Sequence, residues 1–176
     1  MGRKKAVVFC SASGKIDPRY NQAAREVVRA ACLYGYDIVS GGTVKGTMDV
    51  VCDEAARCGA AVIGVLPRFM KGLEHPKLTD LVWTDTMSDR KERMREGADL
   101  AIALPGGIGT VDEMIESFVL VKLHQSRLWL VLYDVDGFWK PFEDLLDYFV
   151  RTGMLEPGDR ALIHKAGSIE ELKKYL

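Results

Sequence analysis

A glutamate and an arginine carry the chemistry that this sequence offers. Glu113 follows the run Pro105-Gly106-Gly107-Ile108-Gly109-Thr110, and Arg90 lies in the charged segment Thr86 to Arg95 that leads towards it. Ahead of the glycines, Leu100 to Leu104 is wholly apolar, as a buried parallel strand requires. A strand, a glycine turn and a helix start in that order expose backbone N–H groups without covering side chains. The helix dipole adds partial positive charge, so such a turn favours an anion, most often a phosphate. With a helix expected to start at Thr110, Glu113 lies in its first turn and could act on whatever the phosphate carries. Thr110-x-x-Glu113 is equally a capping box, in which Glu113 only closes the helix end. The charged helix around Arg90, with Met87 and Met94 on a thin apolar stripe, reads by itself as a solvated surface helix. Its position changes that reading, because it feeds directly into the strand that ends at Pro105.

The elements that must position these residues alternate along the chain. Strands are expected at Ala6 to Cys10, Tyr36 to Val39, Ala61 to Leu66, Leu81 to Thr84, Leu100 onwards, Leu128 to Tyr133 and Leu162 to His164. Between them fall helical patterns: Asp17-Pro18 opens one as cap and first residue, and Gly35 and Gly59 stop two. Trp139 opens another, and Ser168-x-x-Glu171 caps the last. This order predicts a single-domain α/β fold, a Rossmann-like doubly wound parallel sheet with helices on both faces. In such a sheet ligands bind beyond the carboxyl ends of the strands, which draws in the turn Ser11-Ala12-Ser13-Gly14. A second glycine turn, Ser40-Gly41-Gly42-Thr43-Val44-Lys45-Gly46-Thr47, matches neither a dinucleotide fingerprint nor a P-loop. Asp49, Asp53 and Arg57 read as one solvated helix face. The segment Arg68 to Asp80 has no clear periodicity and is expected to be a loop at the carboxyl edge that could cover a site. His75 within it has no neighbouring His or Cys with which to hold a metal.

Composition removes several functional classes. The 176 residues are 48% hydrophobic, enough for a full core, and 24 basic against 25 acidic residues leave a net charge of -1, with no footprint for nucleic acid. Cys10, Cys32, Cys52 and Cys58 lack metal-site or disulfide spacing and read as small buried residues in a reducing compartment. The start Met1 to Ser11 is too short in apolar residues for a signal peptide, and Gly2 lacks the downstream Ser or Thr of a myristoylation site. No apolar run approaches the roughly 20 residues that span a bilayer. A soluble cytoplasmic protein is expected, without membrane contact.

Pro105-Gly106-Gly107-Ile108-Gly109-Thr110-Val111-Asp112-Glu113 resembles the PGGxGTxxE signature of the LOG family, the cytokinin riboside 5′-monophosphate phosphoribohydrolases. Phe9-Cys10-Ser11-Ala12-Ser13, Gly64-Val65-Leu66-Pro67 and Met87-x-x-Arg90-Lys91-x-x-Met94 are similar to three further stretches of that family. The resemblance implies a Rossmann-like homodimer that hydrolyses a nucleoside 5′-monophosphate to free base and ribose 5-phosphate. It implies Arg90 and Glu113 as the catalytic pair. It also implies substrate binding by Ser11, Ser13, Gly42, Met87, Lys91, Pro105, Gly106, Gly107, Ile108, Gly109 and Thr110, with no metal and no cofactor. Relatives have carried the label lysine decarboxylase. That chemistry needs pyridoxal phosphate on a Schiff-base lysine with an acidic partner for the ring nitrogen, and no lysine beside the glycine turn suits it. The competing class is a nucleotide-binding or carrier module of the same fold that does not hydrolyse its ligand.

The residues support a mechanism for the enzyme. N–H groups of Gly106 to Thr110 and the Thr110 hydroxyl would hold the 5′-phosphate, and Glu113 would activate water and stabilise an oxocarbenium-like ribose. Arg90 cannot be a general acid and would keep Glu113 ionised or bind the sugar phosphate. Where the family reads GGG and then GLMG, this chain has Ser40-Gly41-Gly42-Thr43 and Gly46-Thr47-Met48-Asp49. Thr43 and Asp49 thus add side chains, and base recognition at that edge is expected to differ.

Overall fold

The computed structural model describes residues 3–176; Gly2, considered above for lipidation, lies outside them. All seven expected strands form: β1 (Lys4–Phe9), β2 (Tyr36–Ser40), β3 (Val62–Pro67), β4 (Asp80–Thr84), β5 (Leu100–Ala103), β6 (Trp129–Tyr133) and β7 (Ile163–Ala166). They make one sheet in the order β4-β3-β2-β1-β5-β6-β7, every pair parallel. Parallel strands need crossover connections, and these are supplied by α1 (Pro18–Leu33), α2 (Gly46–Arg57), α3 (Met87–Arg95), α4 (Ile108–Lys122), and α5 (Lys140–Arg151) with the helical turn α6 (Pro157–Arg160), while a loop joins β3 to β4 and α7 (Ile169–Leu172) follows the last strand.

The sheet is buried on both faces because alternate strand residues point opposite ways. Val8, Ile38 and Ile102 pack with Val27 and Val28 of α1, Cys52 of α2 and Leu172 of α7. Val7, Phe9, Val39 and Ala101 pack with Met94 of α3, Met114 and Phe118 of α4 and Leu146 of α5. Helices therefore cover both faces, and this is a Rossmann-like doubly wound sheet. Ile102 is fully buried in β5, and its truncation to alanine would cost about 2–5 kcal/mol. Strand order reverses between β1 and β5. After Phe9 and Leu104, still joined at 2.9 Å, the two chains diverge and leave the crevice that positions the site.

Local details refine the expected elements. Asp17 caps α1 by accepting the Arg19 N–H at 3.0 Å, with Pro18 at the first helical position. The Ser168 hydroxyl accepts the Glu171 N–H at 3.2 Å, while the Glu171 carboxylate accepts the N–H of Gly167. The expected capping box at Thr110 does not form: α4 starts earlier, at Ile108, so Thr110 is inside the helix and no acid lies in the first turn. Three glycines hid the true boundary, because Gly107 precedes the helix without a side-chain cap. Asp49 and Asp53 are not a purely solvated face either, since buried His75 lies against both. Trp129 and His164, which have no partners by sequence spacing, stack in one group with Tyr175. No helix among the described residues is long and apolar enough to cross a membrane.

Candidate active site

A cavity of about 360 Å³ opens at the carboxyl ends of β1 and β5. Five segments build it: the Cys10–Ser13 turn after β1, the glycine stretch after β2 with the start of α2, Met70 and Leu73 of the loop after β3, the first residue and Arg90 of α3, and the first two turns of α4 with Gly107 before it. Gly46, with φ +57, lets α2 lie against the serine turn; a methyl there would meet the Ala12 carbonyl carbon at 2.6 Å and Ser13 N at 2.7 Å. The Thr47 N–H then donates to Ser11 O at 2.9 Å. The hydroxyl oxygens of Ser11 and Ser13 accept the N–H groups of Ser13 and Lys15, so their own protons are available to a ligand.

Arg90 and Glu113 meet inside this cavity. Arg90 Nη1 donates to Glu113 Oε1 at 3.0 Å, and Arg90 Nε donates to the Val65 carbonyl at 2.9 Å. Both residues are buried, 5% and 7% exposed. Gly41 is the reason that the guanidinium fits: a methyl at this position would collide with Arg90 Nη2 and Met48 Sδ. The glycine stretch after β2 thus serves the arginine of a distant helix. Burial pushes the Glu113 carboxyl above its ordinary value, and Arg90 opposes that rise without overcoming it. Arg90 positions the carboxylate and limits the cost of burying it, but does not pull it below the ordinary range, as a guanidinium beside an exposed carboxylate would.

The N-terminus of α4 forms the opposite wall. Its first intrahelical bond is Val111 N–H to Gly107 O at 3.1 Å, so the N–H groups before it are left to a ligand. Gly106 is needed because Thr110 folds back over it, with no room for a Cβ. Of the residues singled out from sequence, Ser11, Ser13, Met87, Arg90, Gly107, Gly109, Thr110 and Glu113 line the cavity. The others do not line it. Ile108 is 86% exposed, Gly42 packs on Gly64 and Leu66 of β3, and buried Pro105 and half-buried Gly106 shape the turn from behind. Lys91 is also elsewhere: its ammonium lies 2.9 Å from Asp112 and 2.5 Å from Glu116, tying α3 to α4.

Sequence reasoning missed part of the lining. Thr43, expected to alter one edge of the pocket, does line it, but Lys45 just before α2, Met48 within it, and Met70 and Leu73 of the loop after β3 were not foreseen. The signal for Lys45 and Met48 was the second glycine turn, which the site uses without its matching any nucleotide motif. Aperiodic residues Arg68 to Asp80 gave no signal for Met70 and Leu73 beyond their place at the carboxyl edge.

Comparison with known proteins places the chain among relatives. The family model described as possible lysine decarboxylase matches residues 48–176. Cytokinin riboside 5′-monophosphate phosphoribohydrolase LOG7 of Arabidopsis thaliana is 30% identical over 175 residues, covering 98% of this chain and 81% of that protein. The phosphoribohydrolase LOG of Oryza sativa subsp. japonica is 31% identical over 171 residues, covering 96% and 71%. Among solved structures, the molybdenum cofactor binding protein from Rippkaea orientalis superposes with a TM-score of 0.73 at 19% identity, covering 99% and 95% of the two chains. The molybdenum cofactor carrier protein from Chlamydomonas reinhardtii gives 0.72 at 18%, covering 97% and 93%. These two share the fold. The match to the family model over most of the sequence, and the nearly full-length likeness to the phosphoribohydrolases, show that this chain belongs to the LOG family.

Proposed function

We propose that the chain hydrolyses the N-glycosidic bond of a nucleoside 5′-monophosphate, an adenine nucleotide or its N6-substituted cytokinin form, to free base and ribose 5-phosphate. The observation that carries this reading is the buried Arg90–Glu113 pair, which shares one cavity with the free N–H groups of α4. A binding module needs the N–H groups but not a desolvated carboxylate, whose burial has to be offset by an arginine.

The 5′-phosphate caps α4 and donors at Gly107, Gly109 and Thr110 hold it. The ribose then lies over the first turns of α4, where Glu113 stabilises positive charge developing at C1′. As the C1′–N bond breaks, its electron pair leaves with the base. Water adds to C1′; Glu113 accepts one of its protons, and the departing base takes up one proton overall. A carboxyl with a raised pKa is a stronger base once ionised, which suits that transfer. Arg90 orients the carboxylate through a fork fixed at Val65 O.

The decarboxylase label does not fit this cavity. Its one lining lysine, Lys45, is exposed at the start of α2, and the buried carboxylate is already paired with Arg90. The family's dimer is a further part of the proposal, supported by exposed Val119 and Leu123 on and after α4 and Leu145 and Tyr148 on α5. Sedimentation of the purified chain tests it. The function is tested by incubating the protein with AMP and with isopentenyladenine riboside 5′-monophosphate. Free base and ribose 5-phosphate in equal amounts are expected; saturable binding without either product would establish the non-hydrolysing module instead.

A further inference from the structure

The loop from Arg68 to Thr79 is strapped to the glycine stretch by main-chain bonds. The Val44 N–H donates to Leu73 O at 3.0 Å, the His75 N–H donates to Gly42 O at 2.8 Å, and Thr43 and Glu74 form an antiparallel bridge. A side chain ties the same loop to α2. The imidazole of His75 is 2% exposed, and its Nε2 lies 3.3 Å from Asp49 Oδ1 and 3.4 Å from Asp53 Oδ1. Its Nδ1 accepts the Lys77 N–H at 3.2 Å. With Nδ1 used as an acceptor, the ring proton sits on Nε2 and faces the two carboxylates. Lys77 Nζ, 2.7 Å from Asp53, completes the cluster.

This cluster lies behind the cavity wall. Met70 and Leu73 reach the cavity from the loop, and Met48 reaches it from α2, next to Asp49. His75 is the buried side chain that joins the two sources, with exposed Lys77 beside it. Thioether and aliphatic groups cannot hold a phosphate but pack well on a flat aromatic ring. With the phosphate at α4 and the ribose by Glu113, the base is left to this wall.

We propose that His75 is a positioning residue for base recognition: by bridging the loop to Asp49 and Asp53, it holds Met70, Leu73 and Met48 at the separation that the base occupies. This rests on the proposed function for the identity of the ligand. The test compares His75→Ala, His75→Gln and His75→Asn by steady-state hydrolysis of AMP and isopentenyladenine riboside 5′-monophosphate, by ribose 5-phosphate binding and by melting temperature. His75→Ala is expected to raise the nucleotide KM about tenfold, with kcat within about threefold of the parent and ribose 5-phosphate affinity unchanged. His75→Gln, which can place an N–H towards Asp49 and Asp53, restores most of the KM. His75→Asn, which keeps only the acceptor for Lys77, does not. A parent KM in all three variants, whatever their melting temperatures, overturns the proposal, as does ribose 5-phosphate affinity falling in step with that for nucleotide. Should His75→Ala not fold, the contrast between Gln and Asn decides. If the parent releases no base, the hydrolytic reading falls, and the role of His75 is then decided by equilibrium binding of AMP to the same variants: about tenfold weaker binding in Ala and Asn but not Gln upholds it, and equal affinity overturns it.

Discussion

Helices α3 and α4 face each other through two sets of opposite charges that begin one residue apart. Arg90 meets Glu113 on the cavity side; Lys91 meets Asp112 and Glu116 on the outer side, where Arg95 also binds Glu116 at 2.6 Å. The helices and the charge types are the same, yet the carboxylates behave oppositely. Burial raises the Glu113 carboxyl despite Arg90, whereas Glu116, also pushed up by partial burial, is brought below its ordinary value by Lys91 and Arg95. The contrast shows that a cationic partner does not by itself decide which way a carboxyl shifts. The extent of removal from water on the cavity wall does, and the outer ion pairs tie α3 to α4 beside the inner one.

Four measurements would break or sharpen that contrast. The largest effect is expected from Glu113→Gln, with kcat for base release down by about 10²–10⁴-fold and AMP binding retained in calorimetry. A parent rate would reduce Glu113 to a structural group. Arg90→Ala strands a buried carboxylate, so stability should fall by about 3–5 kcal/mol in chemical denaturation, together with most of the activity. Arg90→Lys should not restore activity, because one ammonium cannot reproduce the fork to Glu113 and Val65. The third is a pH profile. Activity needs ionised Glu113, so its acid limb should lie above the ordinary glutamate range and vanish from the residual rate of Glu113→Gln. Stability carries the same sign. A raised folded pKa means that Glu113 supports folding below its unfolded value and that this support is lost as pH rises through the folded one. The melting temperature of the parent relative to Glu113→Gln should therefore decline over that interval. The smallest effect is expected from Lys91→Ala: a stability loss of about 1 kcal/mol or less and near-parent kcat. A collapse of kcat in that variant would place Lys91 in the site after all.

The strands and the two-faced sheet were legible because buried parallel strands leave apolar runs such as Val7 to Phe9 and Leu100 to Leu104. The Pro105–Glu113 turn was legible because glycine and proline punctuate it. The pairing of Arg90 with Glu113 could be inferred only from the resemblance and from the path of the chain, since the two come from different crossovers. Three features were hidden for physical reasons. The start of α4 has no side-chain cap, so the nearest capping residue, Thr110, stood in for it. Lys91 differs from Arg90 only in which way it points from α3, which sequence spacing does not fix without knowing where α4 lies. His75 met Asp49 and Asp53 through an irregular loop, where no periodicity forecasts a contact.

The bare glycine before α4 has a consequence for engineering. Gly107 sits in an extended conformation, with φ -92, and a Cβ there would meet nothing within 4 Å, so serine or aspartate would fit without strain. Either would finish the helix end by itself and should stabilise the free protein by about a few tenths of a kcal/mol. It would also occupy the donors that the proposed function gives to a phosphate. The position is thus one where a search for thermostable variants and a search for active ones would choose different residues.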